Sequence, residues 1–243
     1  MISKRKIAHY ITVLLLAAAV IVVGVATSRR ASNPACAAIT VIVKDSADRQ
    51  YVTPAELQQQ LLQAGLWPIG ETLSNISCHL IEQNLLTHPM LKQAECYKLA
   101  KGELKIIVRQ RHPLMLVKGD ESYYIDTDRK PMPVRASVNT PVVTVSGHIG
   151  RQQAQTEIFD FVCWLNRSVY WREKIHHIRV SNPKTVELID DEHHYTILLG
   201  SMNNAADRLN QLEKLYEKGF ARIGFPHYKQ IDLQYNGQII GRK

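Results

Sequence analysis

The apolar and polar positions of this chain follow three different periods. From Ile7 to Ser28 no side chain is charged, and Ile11 to Val25 is nearly all Leu, Ile, Val and Ala. At about 1.5 Å per helical residue such a run reaches roughly 30 Å, the thickness of a bilayer's hydrocarbon core. Beyond it the apolar residues come in short bursts. Ala38–Lys44 is β-branched and reads as a strand. Thr53-Pro54-Ala55-Glu56 announces a helix: Thr53 can cap the first amides, Pro54 suits the first turn, and Glu56 completes a capping box. Leu57, Leu61 and Ala64 then fall on one face, and Gly65 supplies the stop. Ser77 caps a second helix carrying Ile81 and Leu85, with Leu80 beside them. Pro89 disfavours helix at His88 and ends it near Thr87. Leu91–Leu99 reads as a strand, Ala100-Lys101-Gly102 as a turn, and Glu103–Arg109 alternates with Leu104, Ile106 and Val108 on one side. The order β-α-α-β-β packs most simply as a three-stranded sheet with two helices on one face.

The rest of the chain repeats these signals at larger scale. Leu114–Val117 and Ser122–Ile125 pair around Gly119-Asp120. Asp126–Lys130 forms a turn, and Pro131 and Pro133 are expected to break regular pairing after it. Pro141–Gly147 is a further apolar run. Ala154, Ile158, Phe161, Val162 and Leu165 mark an amphipathic helix. Strands are expected near Ile175–Ser181, Thr185–Ile189 and Tyr195–Gly200, and a helix over about Asn204–Lys218 that Gly219 ends. In the closing run Tyr228–Ile240, Ile231, Leu233 and Tyr235 alternate with Asp232, Gln234 and Asn236, which predicts one strand. The fold class is therefore α+β: an N-terminal membrane helix, a small βααββ domain, then a mixed β-sheet domain with flanking helices. The expected boundaries are 1–6 for a cytoplasmic leader, 7–28 for the membrane helix, 38–112 for the first domain and 113–240 for the second.

Charge sharpens the membrane reading. The formal net charge is +8. Lys4, Arg5, Lys6, Arg29 and Arg30 flank the apolar run with no acidic residue among them, so most of the excess sits at the two ends of that run. A nucleic-acid binder concentrates its positive charge on a folded face instead, so no nucleic acid is expected. A cleaved signal peptide ending at Ala35-Cys36-Ala37 competes with an uncleaved anchor. The apolar run exceeds the 7–15 residues usual for a signal peptide, and two arginines stand directly behind it, which favours the anchor. Lys4 to Lys6 with the α-amino group place the N-terminus in the cytoplasm and residues 31–243 outside it. Asn33 three positions before Cys36 argues against a lipidated cysteine.

Candidate chemistry changes little. His176-His177 and His193-His194 are adjacent, and strand neighbours point to opposite faces, so neither pair chelates a metal easily. There is no Cys-x-x-Cys or His-Glu-x-x-His spacing, no Gly-x-Ser-x-Gly elbow, no phosphate-binding loop and no dinucleotide fingerprint. No catalytic, cofactor-binding or metal residue, no cofactor and no small-molecule substrate is therefore expected. Asp190, Asp191 and Glu192 read as a solvated turn. Of Cys36, Cys78, Cys96 and Cys163, Cys78 at a helix start and Cys96 in the next strand could lie close enough to oxidise. Small buried core residues are the favoured reading, and oxidation the competing one.

Several segments carry a resemblance. The βααββ order just outside one anchor resembles a POTRA domain. His88–Glu95 and Leu104–Pro113, which ends in Gln110-Arg111-His112-Pro113, resemble segments of the FtsQ/DivIB cell-division family. So do Tyr123-Tyr124-Ile125-Asp126 with its following turn and the closing Ile231-Asp232-Leu233-Gln234-Tyr235, where Gln234 replaces the family's usual Arg. In that turn the family often has Gly where this chain has Asp128-Arg129. The resemblance covers residues 4 to 240. It implies a non-enzymatic, single-pass protein of the cytoplasmic membrane at the division septum. Its partners would be FtsB/DivIC and FtsL-type proteins with other divisome components, and its role would link recruitment to septal peptidoglycan synthesis.

A closing strand is often a sheet edge, to which a partner strand can add. Tyr228, Ile231, Leu233, Tyr235, Asn236, Gly237 and Ile239 are therefore the candidate partner-binding residues, with Tyr235 carried over at the aromatic after the Asp-Leu-x step. Tyr235→Ala or Ile231→Lys is expected to weaken FtsB/DivIC binding and leave the fold intact. Contacts from a tail beyond Lys243, which some relatives carry, are not expected. The competing readings are a POTRA-bearing chaperone or transport accessory, a membrane-anchored cell-wall enzyme, and a cleaved secreted protein.

Overall fold

The computed structural model describes residues 12–22, 33–45, 49–135, 140–182, 185–192, 194–220, 228–235 and 237–243. Residues 12–22 are helical (α1), and the apolar side chains of Val13 to Leu16 and Val20 to Val22 are exposed. No described helix is long and apolar enough to cross a membrane. The remaining parts of the expected 7–28 span lie outside the described residues.

Two compact units follow, the first built mainly from residues up to 108 and the second mainly from residues beyond 109. The first contains β1 (Ala38–Val43), α2 (Pro54–Gln63), α3 (Cys78–Leu86), β2 (Leu91–Leu99) and β3 (Glu103–Gln110). β3 is central: the strand order is β1-β3-β2, with β1 parallel to β3. The capping box forms as its residue types require. Thr53 Oγ1 accepts the Glu56 amide at 3.2 Å, and Glu56 Oε2 accepts the Thr53 amide at 2.8 Å. Such a cap is worth about 1 kcal/mol. Gln60 reaches from α2 to the Asn84 carbonyl of α3 at 2.6 Å. Leu57, Leu61, Ile81, Leu85, Leu104, Ile106 and Val108 are all buried. Ala64 is exposed instead of joining Leu57 and Leu61, because it is already the residue closing the helix. In the β2–β3 turn Gly102 takes φ +83°, and a Cβ there would meet the Ala35 carbonyl at 2.2 Å, so only glycine fits.

The second unit is built on a nine-stranded mixed sheet. Its strands are β4 (Pro113–Lys118), β5 (Tyr123–Asp126), β6 (Pro131–Pro133), β7 (Val143–Gly147), β8 (Ile175–Asn182), β9 (Thr185–Asp190), β10 (Tyr195–Gly200), β11 (Gln230–Asp232) and β12 (Ile240–Arg242). They run in the order β12-β11-β10-β9-β8-β7-β4-β5-β6. The pairs β4/β7, β7/β8 and β10/β11 are parallel and the others antiparallel. Between β7 and β8 run α4 (Arg151–Gln153), a π-helical turn (Ala154–Ile158) and α5 (Phe159–Arg167). After β10 comes α6 (Ala205–Leu215), continued by a π-helical turn (Tyr216–Phe220) that carries the chain past Gly219, the expected stop. Val145, Ile178, Leu188, Ile197 and Ile231 of the sheet form one core with Ile158, Val162, Leu165, Leu209, Leu212 and Tyr216 of the helices. One sheet face therefore buries its alternate residues under helices, as period-2 patterning requires.

Three further expectations change. Pro131 and Pro133 do not end the pairing. They stand in a strand, β6, at the outer margin of the sheet, the position where proline is tolerated. The closing run is not one strand from Tyr228 to Ile240 but two, β11 and β12. Asp190 is not a solvated turn residue: it is fully buried at the end of β9, and its Oδ1 accepts the Glu192 amide at 3.0 Å. Burial first, and then the Asp190 charge, push the Tyr216 hydroxyl well above the usual tyrosine range.

Candidate partner-binding edge of the C-terminal unit

The sheet's geometry turns one backbone position of its last strand outward. The Thr196 amide donates to the Lys229 carbonyl at 3.0 Å and the Leu233 amide to the Leu198 carbonyl at 2.9 Å. The peptide groups between these contacts alternate, so Gln230 and Asp232 face the other way, toward β12. There they stand opposite Arg242 and Ile240. Gly241 lies between those two and points its N–H and C=O away from the sheet. β12 is the terminal strand of the order, and Ile240, Gly241 and Arg242 are all exposed.

Side chains hold this short strand in place. Asp232 is fully buried, and its Oδ2 accepts the exposed Arg242 guanidinium at 2.7 Å while its Oδ1 accepts the Gln234 amide at 3.0 Å. Gly241 presses its bare backbone on the Tyr228 ring, whose atoms would stand 2.7 Å from an added Cβ. Behind the edge lies Arg208 of α6, 6% exposed. Its guanidinium donates to the carbonyls of Leu199 at 2.6 Å, Leu233 at 3.0 Å, Ser201 at 2.5 Å and Asn203 at 2.7 Å. One cation thus collects carbonyls from the end of β10, the turn after it and the chain leaving β11. Burial lowers the pKa of Arg208 from its ordinary value. A polar depression of about 640 Å³ adjoins it, lined by Ser201, Asn203, Asn204, Arg208, Gln234, Tyr235 and Gln238.

The residues expected to bind a partner divide by burial. Ile231 and Leu233 are each 1% exposed and belong to the core. Tyr228 and Ile239 are half-buried and pack on that core. Tyr235, 54% exposed, and Gly237, at φ +72°, project to solvent. Asn236 lies outside the described residues. Ile231→Lys would consequently place a charge in the core and unfold the unit, contrary to the expectation that it spares the fold. The reason is strand order. β11 has a neighbour on each side, so its apolar face is core and its peptide groups are already paired.

Sequence reasoning missed Gln230, Gly241 and Arg242, which form or pair with the true edge, and Arg208. A glycine followed by two basic residues near Lys243 gives no strand signal. A lone Arg on a helix gives no sign that it is buried.

Among the described residues the other groups of polar side chains form no comparable site. His176 and His177 are both exposed, and His176 Nδ1 pairs with Asp191 Oδ2 at 2.8 Å. Among the described residues no group of three or more His, Cys, Asp or Glu side chains is placed to hold a metal ion.

Two family models match the chain. Residues 112–242 match the model described as FtsQ/DivIB, C-terminal related. Residues 34–109 match the model described as a POTRA-like domain. No curated protein matches it.

Proposed function

Because the chain belongs to the FtsQ/DivIB family of cell-division proteins, we propose that it is a non-enzymatic scaffold that docks a partner strand on β12. The partner is a small coiled-coil division protein of the FtsB/DivIC type, together with its FtsL-type companion. The anchor is the apolar run 7–28, with the N-terminus in the cytoplasm and both compact units outside it. Docking then links recruitment of the partners at the septum to septal peptidoglycan synthesis.

The outward peptide group of Gly241 on a terminal strand carries this reading. An edge strand with unpaired N–H and C=O groups is completed by another strand, and main-chain hydrogen bonds supply the affinity. The exposed Tyr235, on the segment that joins β11 to β12, supplies the kind of aromatic anchor that dominates interface energetics.

The test is a pull-down of the FtsB/DivIC-type partner by the full-length protein, with Tyr235→Ala and Ile240→Lys as variants. Both side chains are exposed, so folding is expected to survive, and each variant should weaken binding about tenfold or more. Unchanged recovery of the partner by both variants would sink the edge reading. Uniform membrane signal from an N-terminal fluorescent fusion in dividing cells would sink the septal one.

A further inference from the structure

Two thiols of the first unit meet where α3 crosses β2. Cys78 is the first residue of α3, and Cys96 lies in the middle of β2. Residues i and i+4 of a helix share one face, so Cys78 and Glu82 project to the same side. Glu82 Oε1 accepts the Cys96 amide at 2.7 Å, which fixes that side against Cys96 itself. The Cys96 thiol has the Cys78 thiol as its side-chain partner. Ile81 and Leu85 of the same helix are buried. The other two cysteines take no part in this meeting. Cys36 is buried and turns its thiol to the Ala38 carbonyl, and Cys163 belongs to α5 of the other unit. All four are free thiols in this structure.

We propose that Cys78 and Cys96 are a redox modification site: a dithiol that closes to an intramolecular disulfide locking α3 onto β2. The oxidant is a disulfide-bearing molecule, such as glutathione disulfide or an oxidised dithiol protein. Access sets the order of events. Cys78 is half-buried and reachable, whereas Cys96 is buried. Burial, then its contact with Cys78, pushes the Cys96 thiol well above the usual cysteine range. The Cys78 thiolate therefore attacks one sulfur of the incoming disulfide, and that S–S bond breaks to release one thiol. Cys96 then loses its proton to water and attacks Cys78 Sγ, expelling the second half of the oxidant as a thiol. Two cysteine thiols lose two electrons and two protons, and one disulfide gains them. The bond ties a helix to a strand across a short loop, which restricts the unfolded chain and stabilises this unit.

The inference does not depend on what the other unit binds. Its test uses the wild-type full-length protein in detergent, incubated with glutathione disulfide. Remaining thiols are blocked with an alkylating reagent before proteolysis and mass spectrometry. The expected product is a protein lighter by two hydrogens, with the peptides containing Cys78 and Cys96 joined and with Cys36 and Cys163 alkylated. Three results would each overturn the proposal: four alkylated cysteines, glutathione retained on Cys78 without closure, or a bond from either residue to another cysteine or another chain. Cys96→Ser provides the check on order: glutathione should then stay on Cys78, and its absence there would count equally against the mechanism.

Discussion

The nine-stranded sheet has two margins, and they are built in opposite ways. At one end β6 presents Pro131 and Pro133 at alternate positions, and Met132 between them pairs with Tyr124. The two prolines are thus the outward-facing residues, and neither has an N–H to offer. The outward carbonyl of Pro131 is taken as well, by Arg111 Nη2 at 2.9 Å. Arg111 is itself locked by Asp126, whose Oδ2 it meets at 2.7 Å while Asp126 Oδ1 accepts the Asp128 and Lys130 amides. At the other end β12 presents Gly241, whose N–H and C=O face out and which has no side chain of its own. Edge strands invite pairing unless something prevents it. Within this sheet, one margin is blocked by proline and an arginine, whereas among the described residues no strand pairs with the other.

That contrast can be broken from the open side. Arg208→Met removes a buried cation that satisfies four carbonyls behind the edge. Leaving buried acceptors unsatisfied costs about 1–3 kcal/mol each, offset by the relief of a desolvated charge. We expect a loss on the order of 3 kcal/mol in denaturant unfolding of the second unit, together with loss of partner capture. A variant as stable as wild type would mean that the guanidinium does not organise this edge.

A smaller effect comes from opening the closed side. Pro131→Thr with Pro133→Thr restores two outward N–H groups to β6. The cost to folding should be within about 1 kcal/mol, because both side chains are exposed. Concentration-dependent self-association should exceed that of wild type in analytical ultracentrifugation. A double variant no more associative than wild type would show that proline is not what protects this margin.

The smallest effect tests the turn that feeds β6. Lys92 Nζ meets Asp128 Oδ2 at 2.6 Å, and this contact above all holds the Asp128 carboxyl below the usual carboxylate range. A depressed folded value stabilises the fold only while the carboxyl is ionised. The contribution is therefore present above about pH 4 and lost as pH falls through the folded value. Both side chains are roughly half exposed, so Asp128→Asn should cost under about 0.5 kcal/mol at pH 7 and nothing at pH 2. An equal cost at both pH values would assign the effect to the turn's backbone instead of the ion pair.

Much of this architecture is local and was legible in the residues. The capping box at Thr53 and Glu56, the Pro89 stop, the left-handed turn at Lys101-Gly102 and the alternation of β3 all follow from chemistry within a few positions of each element. The turn after β5 was legible too: Arg129 takes φ +65° there, the backbone region that explains why glycine suits that place. The resemblance to FtsQ/DivIB was likewise carried by short runs. Strand order was not. Alternation marks Ile231 and Leu233 as having a buried face, but it is the same for an edge strand and for an interior one. That β11 became interior depends on β12, three residues with no apolar pattern, folding back beside it.

The sequence by itself determined where helices and strands begin, which residues point inward, and which family the chain belongs to, because propensity, capping and periodicity act over a few bonds. Only the tertiary structure decided which strand lies outermost, that Arg208 and Asp190 are buried, that Gly241 rests on Tyr228, and that Cys78 meets Cys96. Those outcomes depend on contacts between segments far apart in the chain, where the gain from pairing and burial is set by which other surfaces are already covered.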